Sequence, residues 1–201
     1  KLEAVTLVDL DPKMTELFRD DALLSGLNDG AYRDPRVTVV NADGMSWLEE
    51  CEDVFDVVIV DLPDPRNYSL SKLYTRGFYR LVRRHLAETG AMAVQATTPY
   101  GPPGDDPGAR GSRAYWCIAK TIADAGFSTH PYRAHVPSFG EWGFVLANPK
   151  GRPAPEHLAP VEGLRYLNDD SLRSLFAWPS DLRAPPGVRV NRLDDQVLVQ
   201  Y

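Results

Sequence analysis

The sequence has few residues of the kinds that build a structural metal site or a disulfide framework. Its two cysteines, Cys51 and Cys117, lie far apart without CxxC spacing, and no histidine lies near either of them. Zinc sites need clustered Cys and His ligands, and disulfide frameworks need several cysteines in a short chain. The sequence therefore indicates neither class, and a reducing, cytoplasmic environment is expected.

Long apolar runs are also absent. No run of about eighteen apolar residues occurs, which is the length that crosses a bilayer. The first residues lack the basic and apolar regions of a signal peptide. We expect this stretch to be soluble, while a membrane segment upstream in a longer protein stays open.

Basic charge is not in excess. The chain carries 22 Lys and Arg against 28 Asp and Glu, a net charge of −6 at pH 7. A nucleic-acid partner is not expected, because binding to phosphates needs clustered basic groups. A cationic small molecule suits this balance better, although mild acidity is ordinary for soluble proteins. The four histidines are scattered without ligand spacing, and no metal is expected.

Strand-like and helix-like stretches alternate along the chain. Asp11 and Pro12 mark the start of the first helix, as N-cap and first-turn residue. The strand-like runs are continuously apolar, as in parallel strands covered by helices on both faces. The pattern predicts an α/β fold with a doubly wound, Rossmann-like, mostly parallel sheet and an antiparallel edge hairpin. The predicted strands are 4–8, 36–40, 55–60 and 91–96, the later helices 74–86 and 114–125, and the hairpin strands 128–133 and 142–147.

The end of the chain differs in composition from the rest. Residues 1–148 are predicted to form the Rossmann-like domain, and residues 149–201 a Pro-rich linker and small tail ending in a strand near 195–201. Residues 97–112 are dense in Gly, Pro and Asp, which predicts a partly disordered loop.

Three predicted strands end in aspartate: Asp9, Asp43 and Asp61 follow TLV, VVNA and VVIV. Ligands of open parallel sheets bind beyond the carboxyl ends of the strands, so these carboxylates are expected to converge along one edge. An acid at the position of Asp9 commonly accepts hydrogen bonds from ribose hydroxyls. Asp43 would lie where an adenine amino group donates, but an Asp after a strand is equally often a helix N-cap.

The segment DLPDP places Asp61 and Asp64 three residues apart in a loop stiffened by proline. One interpretation makes either acid a cap for the turn at Pro65. The other has both acids facing a cation. An amine with a pKa of about 10 must lose a proton to act as a nucleophile, and a nearby carboxylate can accept it.

Several motifs in order resemble those of spermidine synthases, the polyamine aminopropyltransferases. They are VTLVDLDP, DPRVTVVNADGMSWL, FDVVIVDLPDP, KLYTRGFYRLV, VQATTPY and VPSFGEWGFVLA. The ending VNRLDDQVLVQY is most similar to the soluble domain of bacterial homologues that are fused to membrane segments. The resemblance implies transfer of an aminopropyl group from decarboxylated S-adenosylmethionine to putrescine or a related amine. Methylthioadenosine is released, and no cofactor or metal is needed.

The resemblance also implies roles for individual residues. It makes Asp61 the catalytic base, and Asp64 and Gln95 contacts of the amine substrate. Asp9 would bind the ribose and Asp43 the adenine amino group, and Gly44 would allow the nucleoside to approach closely.

The chain also departs from the family pattern. Phe139 stands where the family typically has Tyr, which leaves the amine acceptor open. The family's N-terminal strand and Gly-rich loop are not in this sequence, so we expect a fragment of a longer, oligomeric protein. Trp142 and Phe144 lie near the expected substrate loop, with core packing an equal alternative.

Two other functions compete with this one. A methyltransferase that uses S-adenosylmethionine would share the fold and the nucleoside acids, but DLPDP supplies a second acid and no aromatic residue. A noncatalytic polyamine- or nucleoside-binding module would keep the acids without turnover. A dehydrogenase is disfavoured, because the sequence contains no GxGxxG turn.

Overall fold

The structure is a computed structural model that describes residues 2–101 and 111–201. The chain divides into two compact units, Lys1–Glu52 and Asp53–Tyr201, which are described separately. Most of the predicted disordered loop, residues 102–110, lies outside the described residues. Among the described residues, no helix has the length and apolar character needed to cross a membrane.

The first unit is built on two parallel strands, which pair in register from Val5 opposite Val37 to Asp9 opposite Asn41. Asp11 caps the first helix as predicted: its side chain accepts from the Lys13 N–H at 2.9 Å, and Pro12 begins the helix. The elements are β1 (Val5–Asp9), α1 (Pro12–Asp20), α2 (Ala22–Leu27), a 3₁₀ helix (Ala31–Arg33), β2 (Val37–Asn41) and α3 (Gly44–Glu50).

The second unit contains a four-stranded sheet in the order β3-β4-β6-β5. Strands β3 and β4 are parallel, whereas β6 pairs antiparallel with both β4 and β5. The predicted α/β fold with an antiparallel edge hairpin is therefore confirmed. The strands are β3 (Phe55–Val60), β4 (Leu86–Gln95), β5 (Ser128–Val136) and β6 (Gly140–Asn148).

The helices of the second unit depart from the prediction in two places. The expected helix over 74–86 is shorter, because Thr75 is extended (φ −86°, ψ 158°) and caps a helix that ends at Arg84. The predicted strand near 195–201 is wrong: the segment forms a 3₁₀ helix. The helices are α4 (Tyr68–Ser71), α5 (Arg76–Arg84), α6 (Arg113–Asp124) and α7 (Asp169–Leu175), with 3₁₀ helices at Lys72–Tyr74, Ser180–Leu182 and Val197–Gln200.

The core of the second unit lies between the sheet and helices α5 and α6. Met92 and Val94 of β4 and Val145 of β6 have no solvent exposure, and neither has Ile118 of α6. Helix α6 ends as predicted before Gly126, whose φ of +97° is strained for any residue with a side chain. Burial of these apolar side chains is the main favourable contribution to folding.

Gly143 lets the ring of Tyr115 lie directly against β6. A Cβ atom at Gly143 would lie 2.4 Å from two ring carbons of Tyr115. Tyr115 is fully buried, and its hydroxyl donates to the Phe144 carbonyl at 2.9 Å. Burial of the ring and the hydrogen bond of its hydroxyl therefore hold it in place, and any shift would cost free energy.

We predict that Gly143→Ala lowers the free energy of unfolding by roughly 1–3 kcal/mol through overpacking. Urea denaturation of the purified protein measures this. Gly77→Ala is the matched control, because its Cβ would meet only Thr75 Oγ1 at an ordinary 3.7 Å. Equal stability of the Gly143→Ala and Gly77→Ala proteins would contradict the packing assigned to Tyr115.

Candidate active site

Two carboxylates follow strand β3 on a short loop, which we call the acid loop and define as Asp61–Pro65. Asp61 is exposed, the Asp64 side chain is 24% exposed, and Pro65 is buried. The helix that follows the loop is capped by Asn67, whose side chain accepts from the Leu70 N–H at 2.9 Å. Asn67 rather than either acid therefore caps helix α4, and the interpretation of Asp61 or Asp64 as a cap for the turn at Pro65 stays open.

Gln95 lies beside Asp61 because β3 and β4 run parallel. Val60 pairs with Val94, so Asp61 and Gln95 come at the same ends of neighbouring strands. With its carboxamide nitrogen toward the carboxylate, Gln95 donates to Asp61 Oδ1 at 2.5 Å. In the same orientation its oxygen accepts from Trp142 Nε1 at 3.0 Å.

The orientation of the Gln95 carboxamide follows from its neighbours. The reverse orientation would set the amide oxygen against a carboxylate oxygen and the NH₂ group against the indole N–H of Trp142. Neither of those contacts is a hydrogen bond. Asp61 and Trp142 together therefore determine which end of Gln95 faces the carboxylate.

Tyr74 fixes the backbone of the acid loop. Its side chain is 1% exposed, and its hydroxyl donates to the carbonyls of Leu62 and Pro63 at 3.0 and 3.1 Å. Burial raises the pKa of Tyr74 above its ordinary value, and the carboxylates of Asp64 and Asp61 raise it further. The hydroxyl therefore keeps its proton and remains a donor throughout the neutral range.

Phe139 extends this cluster through its ring. It lies in the turn between β5 and β6, is 70% exposed, and packs against Trp142 with ring centroids 5.4 Å apart. The second unit thus links Phe139, Trp142, Gln95 and Asp61 by successive contacts. An exposed aromatic surface next to an amide and a carboxylate can contact both the methylenes and the charged end of an alkylamine.

The predicted nucleoside acids of the first unit lie at the carboxyl end of its two strands. Asp9 Oδ1 accepts from the Asp11 N–H at 2.7 Å, which orients the carboxylate. Asp43 caps α3, since its Oδ1 accepts from the Ser46 N–H at 3.1 Å. The N-cap alternative for Asp43 is therefore confirmed, and any adenine contact has to coexist with capping. Asp61 belongs to the second unit, and convergence of all three acids stays a prediction.

Gly44 begins helix α3 without a packing reason for being glycine. A Cβ atom there would meet no described protein atom within 4 Å, and its φ is an ordinary one. Packing within the first unit therefore does not require glycine. Space for a ligand next to Asp43 remains the predicted role.

Two residues of this site, Tyr74 and Trp142, have roles that the sequence pattern does not indicate. Tyr74 lies in the motif KLYT, where the pattern predicts only the start of a helix. For Trp142 the pattern leaves core packing and the substrate loop as equal alternatives. Their hydrogen bonds join residues that are far apart in the sequence, so the local sequence pattern does not indicate them. The N–H or O–H group of a large buried ring usually has a hydrogen-bond partner, and this is the feature of Tyr and Trp from which such a role could be predicted.

Among the described residues, no group of three or more His, Cys, Asp or Glu side chains could hold a metal ion.

Comparison with solved structures agrees with this architecture. The spermidine synthase of Thermotoga maritima superposes with a TM-score of 0.67 at 22% identity, covering 88% of this chain and 58% of that one. A spermidine synthase bound to the transition state analogue AdoDATO gives 0.71 at 22% identity, covering 89% and 59%. At this identity the likeness shows the fold, which is Rossmann-like as predicted.

Sequence comparison shows the family. The spermine/spermidine synthase domain model matches residues 1–154. Polyamine aminopropyltransferase 2 of Ralstonia nicotianae is 48% identical over 204 residues, covering all of this chain and 38% of that protein. The polyamine aminopropyltransferase of Leptospira interrogans is 45% identical over 200 residues, again covering all of this chain and 38% of the relative. This chain thus spans about 38% of the length of these curated relatives, and it belongs to the spermine/spermidine synthase family.

Proposed function

We propose that the longer protein is a polyamine aminopropyltransferase and that this chain supplies its acid loop. The donor would be decarboxylated S-adenosylmethionine and the acceptor putrescine or a related amine. The observation that carries the proposal is an exposed Asp61 carboxylate held by the Gln95 amide, on a loop held by Tyr74. A fixed carboxylate at the rim of an aromatic surface suits an amine that must be bound, oriented and deprotonated.

The reaction is a direct displacement. The amine nitrogen uses its lone pair to form a bond to the propyl carbon attached to the sulfonium. The carbon–sulfur bond breaks with its electron pair going to sulfur, which gives neutral methylthioadenosine. The nitrogen loses a proton, which Asp61 accepts and passes to solvent. All atoms and electrons balance without a metal or a redox cofactor.

Each of three residues around Asp61 has a separate role in this proposal. Gln95 donates to one oxygen of Asp61 and so leaves the other oxygen directed at the amine. Asp64 adds negative charge that attracts a polyamine, and its 24% side-chain exposure reduces screening by water. The highly exposed Arg66 guanidinium lies 3.8 Å from Asp64 Oδ2 and offsets part of that charge, and it can move away when a polyamine binds. Phe139 contacts methylene groups and cannot accept a hydrogen bond, so the far end of the acceptor meets an apolar surface.

The nucleoside assignments belong to the first unit. We propose that Asp9 accepts from the ribose hydroxyls, since its carboxylate is already oriented by the Asp11 N–H. Asp43 and Gly44 are proposed to face the adenine. A cytoplasmic location, a homo-oligomer and a membrane segment upstream are likewise proposals for the whole protein.

Asp61→Asn in the full-length protein should lower kcat by about 10²- to 10⁴-fold, because an amide cannot accept the proton. The dissociation constant for methylthioadenosine should not change. Steady-state kinetics and calorimetry measure the two quantities. Asp56→Asn, an exposed acid on the same strand, is the control and should keep full activity. Unchanged turnover in Asp61→Asn would remove Asp61 from the mechanism.

Trp142→Phe should lower kcat by about two- to tenfold, the loss expected for one net hydrogen bond. The substitution keeps an aromatic ring beside Phe139 but removes the indole N–H that donates to the Gln95 oxygen, so that only Asp61 still holds the carboxamide. Trp178→Phe is the control, because its indole also donates a 3.0 Å hydrogen bond, to the Pro131 carbonyl. Equal kcat values for the two variants would argue against a role of Trp142 in orienting Gln95.

Asp9→Ala should weaken methylthioadenosine binding by roughly 10- to 100-fold, the range for lost hydrogen bonds to a charged group. Titration calorimetry of the full-length protein measures this. Asp20→Ala removes an exposed acid from α1 of the same unit and should bind normally. An unaltered dissociation constant in Asp9→Ala would contradict the ribose assignment.

A further inference from the structure

The C-terminal tail contains one fully buried polar residue, Asn191, whose hydrogen bonds all go to other parts of the second unit. Its side chain has no solvent exposure. Its backbone N–H donates to Thr121 Oγ1 of α6 at 2.9 Å, and its carbonyl accepts from the Arg76 N–H at 2.9 Å. Its Oδ1 accepts from the Leu198 N–H at 3.3 Å. The residue therefore joins two helices to the final 3₁₀ turn.

The carboxamide nitrogen of Asn191 points at the segment that carries Tyr74. It lies 3.1 Å from the Ser71 carbonyl, 3.2 Å from Ser71 Oγ and 3.2 Å from the Tyr74 carbonyl. Its two N–H groups are thus shared among three acceptors, all of them in buried residues. An unpaired donor or acceptor in this buried place would be costly. The network therefore strongly favours this one arrangement of its members.

Tyr74 connects this network to the acid loop. Its carbonyl accepts from Asn191, and its hydroxyl donates to the Leu62 and Pro63 carbonyls. A continuous path of hydrogen bonds and one rigid ring thus runs from the tail to the backbone between Asp61 and Asp64. Asn191 and Tyr74 are buried and Leu62 is partly buried, so within this path only Pro63 is an exposed residue.

We infer that Asn191 is a positioning residue for the acid loop and acts through Tyr74. Asn191 is then the residue of the tail through which the acid loop is held. This inference rests on the proposed function for its catalytic readout. It goes beyond that function by assigning a role to a segment that contacts neither acid. A purely structural tail would lower stability without affecting the acid loop selectively.

The experiment is a double-mutant cycle in the full-length protein with Tyr74→Phe and Asn191→Ala. Each single variant should lower kcat/KM by roughly tenfold, which is the effect expected when one or two hydrogen bonds that position the loop are lost. The double variant should lose hardly more than either single one, because both act along one path. Fully additive losses, or a normal kcat/KM in Asn191→Ala, would overturn the inference.

Val197→Ala is the matched control for general loosening of the tail. Val197 is fully buried in the final 3₁₀ turn, next to Leu198, whose N–H donates to Asn191. Its truncation removes no atom from the path between Asn191 and Tyr74. We expect a lower melting temperature with normal kcat/KM. If Asn191→Ala does not fold, Asn191→Ser takes its place, because its hydroxyl is too short to reach the Tyr74 carbonyl.

Hydrogen exchange read by mass spectrometry supplies a test that needs no activity. The backbone amides of Asp61, Leu62, Asp64 and Arg66 should exchange faster in Tyr74→Phe and in the Asn191 variant, but not in Val197→Ala. The two other residues of this segment are prolines and carry no amide hydrogen. Unchanged exchange in the Asn191 variant would refute the positioning role. If the unmodified protein transferred no aminopropyl group, the proposed function would fail, and exchange alone would still decide whether Asn191 positions the loop.

Discussion

The hydrogen bonds from the Tyr74 hydroxyl to the Leu62 and Pro63 carbonyls are the contacts on which the acid loop depends. They come from a ring that is almost fully buried, so the donor cannot rotate into water. The loop's own prolines restrict φ but cannot donate hydrogen bonds, and they leave its carbonyls to find partners elsewhere. A rigid donor at the centre of the loop therefore sets the positions of both carboxylates.

A second constraint acts on the Asp61 side chain itself. Gln95 donates to one carboxylate oxygen, and Trp142 holds the Gln95 oxygen. The backbone next to Asp61 is thus held through Tyr74 and the tail. The Asp61 side chain is held through Gln95 of β4 and Trp142 of β6. Preorganisation of this kind lowers the cost of reaching the reacting geometry, which is where positioned groups contribute most to a displacement reaction.

The sequence predicted the framework better than the contacts within it. Acids at strand ends, the Asp11 cap, helix α6 with Gly126 beyond it and the edge hairpin were all readable, because each depends on neighbours in sequence. The roles of Tyr74 and Asn191 were not, since the Tyr74 hydroxyl bonds to carbonyls 11 and 12 residues away and the Asn191 carboxamide nitrogen to acceptors 117 and 120 residues away. The final 3₁₀ turn was mistaken for a strand because VLVQ has strand propensity, whereas burial of Val197 and Leu198 decides its conformation.

The group that is transferred separates the two candidate enzymes, because the same fold and nucleoside acids would serve a methyltransferase. The most direct measurement offers the full-length protein S-adenosylmethionine and decarboxylated S-adenosylmethionine separately, each with a panel of amines, and identifies products by mass spectrometry. We expect methylthioadenosine and an amine lengthened by one aminopropyl group, formed only from the decarboxylated donor. A methylated amine formed from S-adenosylmethionine, with no lengthened product, would contradict it.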